Sequence, residues 1–183
     1  MPKILVFDLK SKIAHFRLPD TTVTHGSYPF IPRTTLHGLL ASILGLESLE
    51  SPVDLDRKPE YEPEHFVGIR LMTPVKSAFQ KLSMLGKGWA PSGSAFNRPV
   101  SLEILVNPHY RIFYKGPYVK ELETMIEQRC SKYHTYMGSC YCLVFPEYVN
   151  AVEAREYDVT SEWISTRTVV PSFVVDKLHP QPG

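Results

Sequence analysis

The sequence lacks several features that would assign it to a well-defined class. It has only three cysteines, Cys130, Cys140 and Cys142, and no paired Cys-x-x-Cys motifs of the kind that hold zinc. We therefore expect reduced thiols, with no metal and no cofactor. No apolar run approaches the ~20 residues of a membrane helix. The N-terminal run is too short for a signal peptide and is interrupted by Asp8, so we expect a soluble, cytoplasmic protein with no membrane partner.

The sequence also lacks a strong net charge, because 20 basic residues face 19 acids. The charges are unevenly placed, however: residues 47–64 contain seven acids, whereas residues 21–46 and 65–102 contain none. The second acid-free segment carries Arg70, Lys76, Lys81, Lys87 and Arg98. Two basic segments in a nearly neutral chain predict a localised anion-binding surface. The alternative is a chance alternation of surface charge.

A proline-punctuated loop leads into a helix that we predict over residues 33–46. The apolar residues that recur at helical spacing are Leu36, Leu39, Leu40, Ile43 and Leu44. The first turn carries Arg33 and the hydroxyls of Thr34 and Thr35, beside the unpaired N–H groups of the helix. A helix N-terminus with a nearby arginine favours an anion such as phosphate. For His37, one turn further on, we expect a structural or a phosphate-contacting role.

The hydrophobic pattern predicts strands and helices in a recognisable order. Strands or extended segments are predicted over residues 3–9, 14–17, 66–79, 100–106, 110–114, 142–145, 149–156 and 163–170, and a second helix over 117–129. The order is β-α-β-β-α-β with additions, which predicts an α+β, ferredoxin-like (RRM-like) sandwich with two helices on one face of an antiparallel sheet. We assign residues 1–157 to this domain and 158–183 to a C-terminal strand and tail.

Residues 81–99, inserted between two predicted strands, form a second informative segment. They are rich in Gly, Ser and Pro, which predicts a projecting loop without regular structure. Lys81, Lys87 and Arg98 can neutralise phosphates, and Trp89 and Phe96 offer stacking faces. Interleaved basic and aromatic residues are typical of single-stranded nucleic-acid binding. The alternative is that the two aromatic residues pin the loop to the core.

Residues 132–139 follow the second predicted helix and form the third segment. Gly138 permits a left-handed turn that exposes backbone N–H groups. Tyr136 and Met137 would present flat or polarisable surfaces to a base. The alternative for these two side chains is a hydrophobic plug that follows the helix.

Together the segments resemble a known family. The stretch Tyr-Pro-Phe-Ile-Pro-Arg-Thr-Thr-Leu-His-Gly-Leu-Leu-Ala-Ser-Ile-Leu-Gly-Leu from Tyr28, followed by Tyr-His-Thr-Tyr-Met-Gly-Ser from Tyr133, resembles the Cas-five family of CRISPR-associated proteins. This family belongs to the RAMP superfamily, and its members are subunits of type I Cascade complexes. The resemblance spans roughly the first 150 residues and is closest to type I-B or I-A members.

The resemblance implies a non-catalytic, RNA-binding subunit. Such a protein binds the 5′ handle of CRISPR RNA, caps the filament of Cascade backbone subunits, and helps position the large subunit near the site where the target motif is read. The implied partners are CRISPR RNA, the Cascade backbone subunit, the Cascade large subunit and, within the complex, target double-stranded DNA. Base pairing with the guide, and not this protein, would then read the target sequence.

The resemblance also assigns roles to individual segments. Handle phosphates would meet the loop and helix around Arg33, handle bases would meet the turn at Gly138, and residues 81–99 would form a thumb over the guide. With the basic segments included, the predicted RNA-binding set is Tyr28, Arg33, Thr34, His37, Lys76, Lys81, Lys87, Trp89, Phe96, Arg98, Tyr136, Met137, Gly138 and Ser139.

Two alternatives remain open at this point. One subtype of the same family cleaves precursor RNA without a metal, which needs a general base and a general acid. The side chains available for that chemistry are His25, Tyr28, His37, His109, Tyr114, Lys115 and His134. The other alternative is a ferredoxin-like module that binds only protein, and the acid-free segments argue against it.

Overall fold

The computed structural model describes residues 3–21, 24–49, 65–87, 95–154, 165–170, 175 and 177. Its elements, in chain order, are β1 Lys3–Lys10, β2 Ile13–Ala14, β3 Thr24–His25, α1 Arg33–Leu44, β4 Phe66–Leu71, β5 Ser77–Lys87, β6 Ala95–Val106, β7 His109–Lys115, α2 Val119–Glu127 and β8 Glu147–Glu153. Within these ranges, neither helix is long and apolar enough to cross a membrane.

The main sheet has four antiparallel strands in the order β4-β7-β1-β8. With α1 between β1 and β4, and α2 between β7 and β8, this is the β-α-β-β-α-β arrangement, so the predicted α+β, ferredoxin-like class is confirmed. β1 lies between β7 and β8, and Leu5, Phe7 and Leu9 are fully buried in the core beneath the helices. Central position explains why β1 is nearly continuous in apolar residues.

Helix α1 begins where the loop predicts and ends slightly earlier than predicted. Pro32, in extended conformation, precedes its first residue, Arg33. Gly45 adopts φ 80° and its N–H bonds to Ala41 O at 2.8 Å, which stops the helix at Leu44 instead of residue 46. The second helix is likewise shorter than predicted, at Val119–Glu127.

The prediction of one long strand over residues 66–79 is wrong. β4 ends at Leu71, and β5 belongs to a second sheet in which β6 pairs with β5, β2 and β3. The prediction that residues 81–99 lack regular structure is also wrong for their described part, because β5 and β6 form a long hairpin with register from Ser77↔Leu105 to Lys87↔Ala95. Cross-strand pairing satisfies the backbone there, although local composition disfavours strands.

The C-terminal segment differs from the prediction as well. Of the strand expected over residues 163–170, the described residues 165–170 are not part of a strand. Val169 nevertheless packs against the core and donates its N–H to Ile69 O of β4 at 2.7 Å. Residues 142–145 form only one bridge, Tyr136↔Leu143, and β8 begins at Glu147.

Asp8 lies on the face of the main sheet that points away from the helices, which we call the outer face. Arg111 Nε and Nη2 donate to its carboxylate oxygens at 2.8 and 3.0 Å, and His109 Nε2 lies 3.0 Å from Asp8 Oδ2. Burial alone would raise the pKa of this carboxyl, but the hydrogen bonds from Arg111 and His109 outweigh it and lower the pKa below its ordinary 3.8. The bonds from Asp8 on β1 to Arg111 and His109 on β7 connect the two strands.

We predict that Asp8→Asn lowers the free energy of unfolding at pH 7 by about 1–3 kcal/mol, because it removes charge-assisted hydrogen bonds. A depressed folded pKa contributes stability that is present above the unfolded value and is lost as pH falls through the folded pKa. Urea unfolding between pH 7 and 3 should therefore show a smaller loss of stability on acidification for the variant. Asp20→Asn, in an exposed turn, is the control. Equal behaviour of the two variants would contradict the prediction.

Candidate nucleic-acid interface

Three segments distant in sequence lie side by side around His15 and Phe16. On one side, the N–H of His15 donates to Met137 O at 3.2 Å. On the other side, the N–H of Tyr28 donates to Phe16 O at 2.8 Å, and the N–H of Phe16 donates to Ser27 Oγ at 3.0 Å. The structure thus joins the loop before α1 to the turn after α2, the two segments that carry the sequence motifs.

Gly138 fixes how closely the turn approaches the backbone of His15. Its φ is 85°, in the left-handed region, as predicted. A Cβ placed there would lie 2.1 Å from His15 O and 2.7 Å from Phe16 Cδ1, so no other residue fits without a shift of the backbone. Ser139 Oγ also donates to His15 O, at 3.5 Å. The turn therefore requires glycine for its conformation and for its packing.

The side chains around this turn divide between surface and core. Tyr136 is 43% exposed and Tyr28 38%, so both rings reach the surface. Met137 is 0% exposed and belongs to the core cluster. The prediction that Met137 presents a surface to a base is therefore wrong, and the alternative, a hydrophobic plug, is the observed role.

His37 is a core residue as well. It is 6% exposed, and its ring meets the edge of His65 at a centroid distance of 6.4 Å. His65 in turn lies 2.9 Å, Nδ1 to OH, from Tyr114 and stacks on Tyr118. The helix that places Arg33 on the surface turns His37 inward, because it lies on the same face as Leu36 and Leu40. The structural role is therefore the observed one, and the prediction that His37 contacts RNA directly is wrong.

The base of the β5–β6 hairpin adjoins the same segments. His15 Nδ1 lies 2.8 Å from Glu103 O of β6, and the N–H of Ser27 donates to Glu103 Oε2 at 3.1 Å. β3 pairs with β6 in parallel, with His25 opposite Leu102. The loop, the turn and the thumb-like hairpin consequently share one surface.

Basic side chains lie on this surface, together with the carboxylate of Glu103. Burial lowers the pKa of His25, and the nearby Arg17, His15 and Arg98 side chains lower it further. Cations close enough to disfavour a protonated imidazole also favour a bound anion. Sequence reasoning missed Arg17, because Asp20 separates it from the acid-free segment that begins at residue 21.

The remaining predicted residues are distributed as follows. Arg33 and Thr34 are exposed at the start of α1, and Lys76, Lys81 and Arg98 are exposed on the hairpin. Lys81 lies opposite Ser101, whose other neighbour is Thr24, so its side chain points to the face of the hairpin opposite that of Arg98. Trp89 and the side chains of Lys87 and Phe96 lie outside the described residues.

Two of the residues considered for RNA cleavage, Tyr114 and Lys115, lie on opposite faces of the main sheet. Tyr114 points into the core, fully buried, and burial raises its pKa to about 12. Its neighbour Lys115 points to the outer face, where its Nζ lies 5.1 Å from the centroid of the Phe66 ring. Successive residues of a strand point to opposite faces, so these two cannot act on one phosphate. No group of three or more metal-binding side chains is found in the part of the chain that the structure describes.

The fold and this surface define an α+β, RRM-like protein with a basic, aromatic face. A family model described as CRISPR-associated protein (Cas_Cas5) matches residues 4–76. This match confirms the resemblance to the Cas-five family that the sequence motifs predict. A search of curated proteins gives no significant match.

Solved structures give similar folds. A chain of a "CRISPR RNA-guided surveillance complex" aligns with TM-score 0.59 and 13% identity, over 76% of this chain and 59% of that one. A "Crystal structure of Cas protein" aligns with TM-score 0.52 and 13% identity, over 84% of this chain and 67% of that one. The chain thus spans about three fifths of the length of the first structure. At this identity the likeness concerns the fold alone.

We predict that Gly138→Ala destabilises the protein by at least about 2 kcal/mol, because the left-handed backbone and the close approach to His15 O both oppose a Cβ. Gly38→Ala is the matched control, since Gly38 lies within helix α1 and a Cβ at that position would have no atom within 4 Å. The control should gain about 0.5–1 kcal/mol. Urea unfolding measures both, and an unchanged stability of Gly138→Ala would contradict the geometry of the turn.

Proposed function

We propose that this protein is a non-catalytic subunit of a type I CRISPR Cascade complex that binds the 5′ handle of CRISPR RNA. In this role it caps the filament of backbone subunits and helps position the large subunit near the target-motif site. The match of residues 4–76 to the family model and the fold shared with a chain of a surveillance complex support membership in such a complex. The handle and the protein partners are our inference.

The observation that carries the proposal is the convergence of the two sequence motifs on His15 and Phe16. Tyr28 and Tyr136 come one from each motif, in the two segments bonded to His15 and Phe16, and both rings are partly exposed. Arg17 and Arg98 both lie close enough to lower the pKa of His25. Exposed aromatic rings beside arginines suit single-stranded RNA, whose bases stack while its phosphates are neutralised.

The proposed contacts divide into two kinds. Arg17 and Arg98 would neutralise phosphates and would fix the position of the handle without reading its sequence. Tyr28 and Tyr136 would stack on unpaired bases. Arg33 would contact a phosphate at the start of α1, where the unpaired N–H groups also point.

We propose that the chain does not cleave RNA. The core position of Tyr114 and His37 supports this, because neither side chain is accessible to a substrate. His25 and Tyr28 remain close to the proposed RNA path. His134 is exposed as well. Cleavage, if it occurred, would take its general base and acid from such accessible side chains and would need no metal.

We predict that Arg17→Glu weakens binding of a labelled repeat-derived RNA about tenfold or more at low salt, because a phosphate contact is replaced by repulsion. The slope of log Kd against log[salt] should fall by about 1 to 2. The loss should be the same for native and scrambled handles. Fluorescence anisotropy with the full chain, in the presence of EDTA, gives both quantities. Lys120→Glu, on the exposed side of α2, is the charge-matched control.

The same assay tests the proposal as a whole. Binding that is weaker for a scrambled handle than for the native one supports a handle-binding subunit. Equal affinities of Arg17→Glu and Lys120→Glu would show that RNA does not lie on this surface. Cleavage of the RNA at one position in EDTA, abolished by His25→Gln, would replace the non-catalytic role with the nuclease.

A further inference from the structure

The outer face of the main sheet carries a second set of aromatic and basic side chains. In β7, Tyr110, Ile112 and Tyr114 are buried beneath the helices. The alternate residues of β7 therefore point outward, and the register with β4 and β1 extends this set to both neighbours. The outward residues of the three strands are Ile4, Val6, Asp8, Lys10, Phe66, Gly68, Arg70, His109, Arg111, Phe113 and Lys115.

Two aromatic residues occupy diagonal positions on this face, since Phe66 lies opposite Lys115 and Phe113 lies opposite Gly68. Phe66 on β4 is 47% exposed, and Phe113 on β7 is half-buried. Gly68 lies directly opposite Phe113, and a Cβ at residue 68 would lie 3.6 Å from Phe113 Cδ2. Because glycine has no side chain, one side of the Phe113 ring is left uncovered. A flat, partly exposed aromatic surface on the sheet of an RRM-like fold suits a stacked base.

The charge of the outer face is positive. On β1, β4 and β7 the outward residues include four Lys or Arg side chains and one acid, Asp8. Asp8 is bound to Arg111, and Arg70 lies directly opposite Arg111 on β4. Glu147 pairs with Asp8 at the far border of the face, on β8. The positive charge is therefore concentrated on the β4–β7 side, where Phe66 and Phe113 also lie.

The backbone after β1 links the outer face to the interface described above. β1 ends at Lys10, and the following residues are held against the β6–β7 turn by Ser11 N–H to Pro108 O at 3.3 Å and Asn107 N–H to Lys12 O at 2.9 Å. The chain then passes through β2 to Arg17. The two basic surfaces are thus joined by one short, hydrogen-bonded stretch of backbone.

We propose that the outer face at β4 and β7 is a second binding site for single-stranded RNA, on which bases stack against Phe66 and Phe113 and phosphates contact Arg70 and Lys115. This rests on the proposed function, since the RNA is the strand held at Arg17 and continued across the sheet. RNA is favoured over a protein occupant because the aromatic rings lie among cations. A base that stacks on Phe66 takes the place of the Lys115 ammonium, which then meets the adjoining phosphate.

The test uses the full chain and a labelled oligouridylate, which has no handle sequence, in anisotropy titrations at low salt. Gly68→Val covers the Phe113 ring without removing it, at a position where a Cβ makes only ordinary contact and a β-branched residue suits the strand. Phe66→Ala removes the exposed ring. We expect each variant to weaken oligouridylate binding about tenfold, the loss typical of a stacked base.

Gly38→Ala and Lys120→Glu are the controls, and both should stay within about twofold of the unsubstituted chain, since neither touches the outer face. Unchanged affinity of both Gly68→Val and Phe66→Ala, or no binding of oligouridylate by the unsubstituted chain, would overturn the proposal. The proposed function is judged separately by the repeat-derived handle RNA and Arg17→Glu. A chain that binds the handle normally but not oligouridylate refutes only the second site.

Discussion

The backbone of His15 and Phe16 is bonded on both sides, and the candidate interface depends on this. The turn at Gly138 binds one edge, at a separation that only a glycine tolerates, and the loop at Ser27 and Tyr28 binds the other. Because each neighbour is held by backbone groups, the positions of the surface side chains follow from main-chain geometry. Two motifs more than 100 residues apart in the chain thereby become one surface.

The main sheet and the hairpin have separate structural roles. β1, buried at the centre of the main sheet, packs against helix α2, and α2 packs against α1. The second sheet is built on β6, which reaches from the hairpin to β2 and β3 and so connects the projecting element to the interface. A rigid, buried scaffold that carries basic and aromatic residues on its surfaces is consistent with an RNA-binding subunit and requires no catalytic side chain.

The sequence predicts the elements with strong hydrophobic periodicity and those that depend on one special residue. Helix α1, the order of the main elements and the left-handed turn at Gly138 belong to this group. The hairpin was not predictable, because its strands are stabilised by pairing across the sheet and not by local propensity. For His37 and Met137 the sequence left a buried role and an RNA contact both open, because periodicity locates a helix face but only packing shows which polar or flexible side chains lie beneath the surface. Arg17 was missed because grouping by charge follows the chain and not space.

The most direct test of the central claim is amide hydrogen exchange of the full chain with and without repeat-derived RNA. If RNA lies on the surface organised by His15 and Phe16, exchange should slow together in residues 15–17, 24–28 and 136–139, because these segments share one bound strand. Exchange in α2, whose buried residues pack into the core, should be unchanged. Slowing confined to α2, or to only one of the three segments, would contradict the account.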